Sequence, residues 1–316
     1  MDGGGARKLP ASGRPPFPPR PWNSAPLLGL GLILALAACS GRAASPGDAD
    51  RTTQAAETDA RAAAYRSPYS LAFSWPQDEL IPDLLSGERG RPDQQSRLPL
   101  REWDSQETRR RYGAWGPPVN RYPEPELARD KPARWLRERV LATALRLEGY
   151  AYQHHHIPDF DPPPHWPWLP VPRGHDGKGV DCSDFTTFVY GQALGWHFSS
   201  DVGEQSRTGT AETAGGRRIP VLRIERPESW EDFARVLAPG DLLFIRNEGG
   251  RVSHVVLWTG DAGRSPEGVP LVLDSTGTGH RDAHGAAIPD GVRLRPFTRD
   301  SWYFRKASHA LRLIRD

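Results

Sequence analysis

Apolar residues settle into a helical rhythm at 133–148, where Trp135, Leu136, Val140, Leu141, Ala144, Leu145 and Leu147 share one face. A second such stretch begins at Cys182. It carries Phe185, Phe188, Val189 and Leu194 on its apolar face, with Gly195 as its stop. A third runs from Trp230 through Phe233, Val236 and Leu237, with Ser229 as its cap and Pro239-Gly240 beyond its end. From there the period shortens to that of strands. Residues 242–246, 252–259, 271–275, 292–296 and 310–314 are short β-rich runs divided by Gly, Asp and Pro. Helices followed by successive strands predict an α+β domain over 133–316, its N-terminal helices packed on a small antiparallel sheet.

Upstream the rhythm is lost. Residues 67–132 scatter Tyr69, Phe73, Trp75, Trp103, Tyr112, Trp115 and Tyr122 among prolines and charges. They are expected to form an extended arm that lays its aromatics on the main domain, with one short helix near 104–112. Residues 40–66, rich in Ala, Asp, Thr and Gly, read as a flexible linker. Residues 27–38 form an apolar run shorter than the roughly twenty residues a spanning helix needs. Arg7, Lys8, Arg14 and Arg20 precede it, as in a signal peptide. The run ends in Leu36-Ala37-Ala38-Cys39, which resembles the bacterial lipoprotein box. Residues 1–39 then form a lipoprotein signal peptide. The resemblance implies acylation of Cys39, palmitate being one such chain, and an exported protein anchored to a bacterial membrane, facing the periplasm.

Composition adds three points. Hydrophobic residues make up only 37% of the 316, with 32 Gly and 32 Pro, so one compact core amid irregular chain is expected. A net charge of +2 with no basic block in the folded half gives no reason to expect nucleic acid, and the chain is read as a monomer. The only cysteines are Cys39 and Cys182. With Cys39 committed to lipid, Cys182 becomes a free thiol in an exported protein, which calls for a role.

Cys182 stands where its helix begins. Unpaired backbone N–H groups and the helix dipole stabilise a thiolate there, and such groups can hold the oxyanion of a tetrahedral intermediate. A proton shuttle is then required. His254, in the strand Arg251–Trp258, is the best candidate, and Asp274 on the following strand can orient the imidazole. His280 competes for that third place.

Gly179-Val180-Asp181-Cys182-Ser183-Asp184-Phe185, followed by Pro239-Gly240-Asp241-Leu242-Leu243-Phe244 leading into Ser253-His254-Val255, resembles the NlpC-type cell-wall peptidase family. The resemblance covers roughly 135–315. It implies a papain-like core and a cysteine peptidase that cuts peptidoglycan stem peptides between D-γ-glutamyl and a diamino acid, or a related amidase, without cofactor. Carried onto this chain, Cys182 is nucleophile and His254 base. The third position falls on Asp274, where relatives more often have His, Asn or Gln. An upstream Gly-x-x-Tyr tyrosine near the oxyanion falls on Tyr152, with Tyr150 as alternative, and Ser183 is assigned to the oxyanion and substrate group. Two features depart from the family pattern. Asp184 replaces a usual Gly, and the stretch from Tyr152 to Cys182 is unusually long and Pro-rich.

That stretch holds His154, His155, His156, Asp159, Asp161, His165 and His175. The donors suit zinc but match no helical two-His spacing, so a solvated loop and no metal are expected. Other functions compatible with the chain are a transglutaminase-like acyl transferase, a non-catalytic wall-binding lipoprotein and a metal-binding lipoprotein.

Overall fold

The computed structural model describes residues 65–90, 107, 121–152, 180–277 and 280–316. Cys39, the linker up to residue 64, the expected helix at 104–112 apart from Glu107, and the His154–His175 loop lie outside the described residues.

The long helices form where the 3.6-residue period placed them. α3 spans Ala133–Leu145 and α4 spans Cys182–Leu194. Asp181 starts α4, its side chain accepting from the Ser183 and Asp184 N–H groups. Gly195 ends it in the left-handed region at φ 68°, where a Cβ would sit 2.6 Å from the Pro123 carbonyl. Two one-turn helices, α1 (Gln77–Leu80) and α2 (Pro82–Leu85), precede them in the arm.

Strands follow, all antiparallel in the main sheet: β5 (Leu222–Glu225), β6 (Leu242–Arg246), β7 (Val252–Trp258), β9 (Leu271–Thr276), β10 (Gly291–Pro296) and β11 (Ala307–Arg312), ordered β10-β9-β7-β6-β11-β5. The expected run at 310–314 thus begins earlier, at Ala307. β2 (Trp196–His197), β3 (Thr210–Thr213) and β4 (Arg218–Pro220) make a separate small sheet, and β1 (Ser70–Leu71) pairs with β8 (Gly263–Arg264). These pieces are too short to leave a period-2 signature.

The fold class is the expected α+β, with one addition: the main sheet is covered on both faces. On one face Val140, Leu141, Phe185, Phe188 and Val189 pack against Phe244, Val255, Leu257 and Leu273. On the other, Phe233 of α6 (Trp230–Val236) and Tyr303 and Phe304 of α7 (Trp302–Arg305) pack against Leu243, Ile245, Val256 and Val272. Alternation along each strand sends successive side chains to the two layers.

α3 is buried well beyond its apolar face, because its polar residues have partners. Glu138 accepts from the Ser74 N–H at 2.6 Å. Arg139, fully buried, makes a two-pronged pair with Asp83 of α2 at 2.7 and 2.9 Å. Arg139 also donates to the Ala193 carbonyl, and Arg89 donates to those of Gly191 and Gln192. Both guanidiniums thus satisfy carbonyls at the C-terminal end of α4, the favourable end for cations. The described part of the arm docks through these bonds and through Tyr65 and Tyr69 in the main core.

Candidate active site

Cys182 is the first residue of α4 and is buried, in a free thiol state. The cap holds it in place. Asp181 Oδ1 accepts from Ser183 N at 3.0 Å and Asp184 N at 2.8 Å. Ser183 Oγ also donates to that oxygen at 3.3 Å. Ser183 therefore stands differently from the expectation that it serves the oxyanion, since both its donors face the cap. The first-turn amide left for that work is the N–H of Cys182 itself.

His254 arrives from β7. The β6–β7 register shifts between Ile245 and Arg246, so that Ile245 pairs with His254 and Arg246 with Val252. Ser253 is the extra residue of this bulge, which sits immediately before His254 and re-aims the strand where the ring must point. On β9, Leu273 pairs with Leu257, which sets Asp274 diagonally across from His254 on the same face.

The side chains meet there. His254 Nε2 donates to Asp274 Oδ1 at 2.8 Å, and the Cys182 thiol lies within hydrogen-bonding reach of the same ring. With Nε2 committed to Asp274, Nδ1 is the nitrogen left for sulfur. The structure therefore brings Cys182, His254 and Asp274 into one chain of contacts. His280 does not join it. Its ring packs against Tyr303 at 5.1 Å, while Asp274 holds the place beside His254.

Two residues from α7 complete the surroundings, and neither was legible beforehand. Tyr303 donates its hydroxyl to Asp274 Oδ2 at 2.7 Å, and Trp302 lies over His254 with ring centroids 5.3 Å apart. Arg295 of β10 holds its guanidinium 4.0 Å from the same Asp274 oxygen. The available hint was the run Ser301-Trp302-Tyr303-Phe304, a cap residue followed by three aromatics.

Electrostatics follow from this packing. Burial alone would push His254 down, but the charges of Asp274 and Cys182 and their hydrogen bonds outweigh it and hold the imidazole well above its ordinary 6.5. Burial likewise disfavours the Asp274 carboxylate, yet His254, Arg295 and Tyr303 keep it below its ordinary 3.8. Asp184 is the opposite case. Burial, then the neighbouring Asp181 carboxylate, push it well above 3.8, against a hydrogen bond from Ser200. Its Oδ2 is buried without a hydrogen-bond partner among the described residues, which suits a neutral acid.

The upstream tyrosines separate. Tyr150 is a core residue, whereas Tyr152 is half-buried and bridges Val180, two residues before Cys182. The segment is fixed on both sides. Gly149 N–H donates to the Val292 carbonyl at 2.8 Å, and Val180 N–H to that of Ala151 at 3.0 Å. Gly291, at φ 94°, passes so close that a Cβ there would overlap the Tyr150 carbonyl oxygen. Ser275 donates to the Val180 carbonyl at 2.6 Å, tying the strand of Asp274 to the approach to Cys182. Among the described residues no group of three or more His, Cys, Asp or Glu is placed to hold a metal ion.

Among solved structures, similarity is found to an NlpC/P60 family protein from Bacillus cereus ATCC 10987. The identity is 20% and the TM-score 0.33, over 61% of this chain and 42% of that one. NlpC1 from Trichomonas vaginalis is similar at 15% identity and a TM-score of 0.30, over 55% of this chain and 42% of that one. The chain thus spans 42% of the length of each. No curated protein matches. Residues 172–264, which carry both Cys182 and His254, match the model of the NlpC/P60 family.

Proposed function

We propose that the chain is a thiol hydrolase of peptidoglycan stem peptides, cutting a D-γ-glutamyl–diamino acid bond or a related amide. The observation that carries this reading is the His254–Asp274 hydrogen bond of 2.8 Å with the Cys182 thiol on the ring's other side. An imidazolium held by a buried carboxylate keeps a thiolate paired and ready. The thiolate attacks the amide carbon, and the oxyanion that forms is met by the Cys182 N–H. His254 gives its proton to the leaving nitrogen as the C–N bond breaks, leaving a thioester. His254 then takes a proton from water as the hydroxyl attacks. Collapse of that second intermediate releases the acid and restores the thiol–imidazole pair. Tyr152 is assigned to the rim of the oxyanion site.

Lipid attachment through Cys39, with the hydrolase facing the periplasm, belongs to the same proposal. Its support is the apolar run closed by Leu36-Ala37-Ala38-Cys39.

Digestion of purified muropeptides by the full chain, beside Cys182→Ala, tests the reading. The parent is expected to release new amine and carboxyl ends, and the variant none above background. Identical product profiles for the two would sink it. An added amine that appears in the product would instead mark an acyl transferase.

A further inference from the structure

Beside the strand of His254 lies a groove of about 640 Å³ lined by Arg207, Arg223, Arg246 and Arg251, with Val252 and Ser253 also along its wall. All four arginines are exposed. Opposing charge is scarce. Asp201 lines the groove, but its side chain caps the short helix Val202–Gln205, accepting from Glu204 N. Glu225 is paired with Arg223. Arg246 donates to the Gly250 carbonyl at 2.8 Å and has no carboxylate partner among the described residues. Arg207 and Arg251 have no ion pair with any described residue. His309, also on the wall, is held below its ordinary 6.5 by burial and by Arg223 and Arg246, and so adds no charge that would change this balance.

The placement matters as much as the charge. Arg251 lies three positions before His254 on the same chain, about 10 Å at roughly 3.3 Å per residue. Arg207 follows the helix whose Gln205 amide donates to the Ser183 carbonyl at 3.3 Å, next to the nucleophile. The groove is therefore bordered by the strand that carries His254 and by the short helix that is hydrogen-bonded to the residue after Cys182. Guanidinium forks match carboxylates in shape and charge, whereas a neutral carboxamide offers a single acceptor oxygen and no charge.

We propose that this groove is a carboxylate subsite. It holds a free carboxylate of the peptide whose amide is at Cys182, and so favours stem peptides whose side carboxyls are not amidated. This rests on the peptide-hydrolase reading above.

The test is equilibrium binding to the full chain carrying Cys182→Ala. The probes are two synthetic stem peptides that differ only in a free carboxyl against a carboxamide. The free acid is expected to bind about ten-fold tighter at low salt. The preference should shrink toward parity with added salt and in Arg207→Gln/Arg251→Gln. Circular dichroism melting reports whether that double variant is folded, and Arg251→Gln alone should show a partial loss if it is not. Parity in the parent, or a preference unchanged in the variants, overturns the subsite. So does an oligomer of glycerol phosphate that displaces the peptide and binds tighter than it with the same arginine dependence. Hydrolysis by the unmodified chain is read separately. If no muropeptide is cut yet the arginine-dependent preference persists, the hydrolase reading falls and the subsite stands. If free-acid and amidated stems are cut with equal kcat/KM, the subsite falls and the hydrolase stands.

Discussion

At His254 two opposite pulls meet, and the charged partners win. The imidazole holds its proton beyond its ordinary 6.5, so hydrolysis should fall on the alkaline side as the proton leaves. The linkage to stability has two limbs. A raised His stabilises fully below its ordinary 6.5 and loses that contribution as pH rises through its folded value. The depressed Asp274 stabilises above its ordinary 3.8 and loses that contribution as pH falls through its folded value. Asp274→Asn keeps the shape but removes the charge. It should lower kcat by about 100-fold or more and draw the alkaline limb toward neutrality, as read in a pH–rate profile. Asp184 behaves in the other sense. Its folded value is raised, so its contribution is present below 3.8 and fades as pH climbs toward the folded value. Asp184→Asn mimics the neutral acid. Urea unfolding at about pH 5 and about pH 8 should show a flatter pH dependence than the parent's, and an unchanged slope would place the titration elsewhere. Sequence alone located Cys182, His254 and Asp274 because each lies in a short local motif. Tyr303, Trp302 and Arg295 escaped because they reach Asp274 or His254 from elements distant along the chain.

Elements were legible in proportion to their length. α3, α4 and the strands β6, β7 and β9 each repeat a period often enough to declare themselves. The strands β2 to β4 and the one-turn helices α1 and α2 do not, and their positions are fixed by contacts outside themselves. Burial of Arg137, Glu138 and Arg139 on α3 was equally hidden, since charged residues enter a core only where distant partners meet them. The bulge at Ser253 is a register property of two strands and leaves no mark on either one. Close approach does yield a prediction at this scale. Gly291→Ala forces a Cβ into the Tyr150 carbonyl and must push the Gly149–Tyr152 segment away from β10. A loss of roughly 2–4 kcal/mol in chemical denaturation is expected. Activity should fall as well, because Tyr152 lies in that segment and bridges Val180, two residues before Cys182.

Across the whole molecule, the described part of the arm belongs to the fold of the site. Asp83 and Arg139 form a buried pair, and Arg139 goes on to the last turn of the helix whose first residue is Cys182. Asp83→Ala strands that guanidinium without its carboxylate. It should cost about 3 kcal/mol of stability, visible as a lower melting midpoint, whereas a substitution at exposed Leu85 should cost little. The capping of α4 at both ends has a practical consequence for anyone trimming this gene product. A fragment cut to residues 172–264 keeps the thiol and its imidazole. It discards the carboxylate on β9, the hydroxyl on α7 and both arginines that close the far end of the helix of Cys182. Such a fragment would be recognisable by its sequence and inert in a tube, so the smallest working unit is to be drawn from the hydrogen bonds rather than from the span of the match.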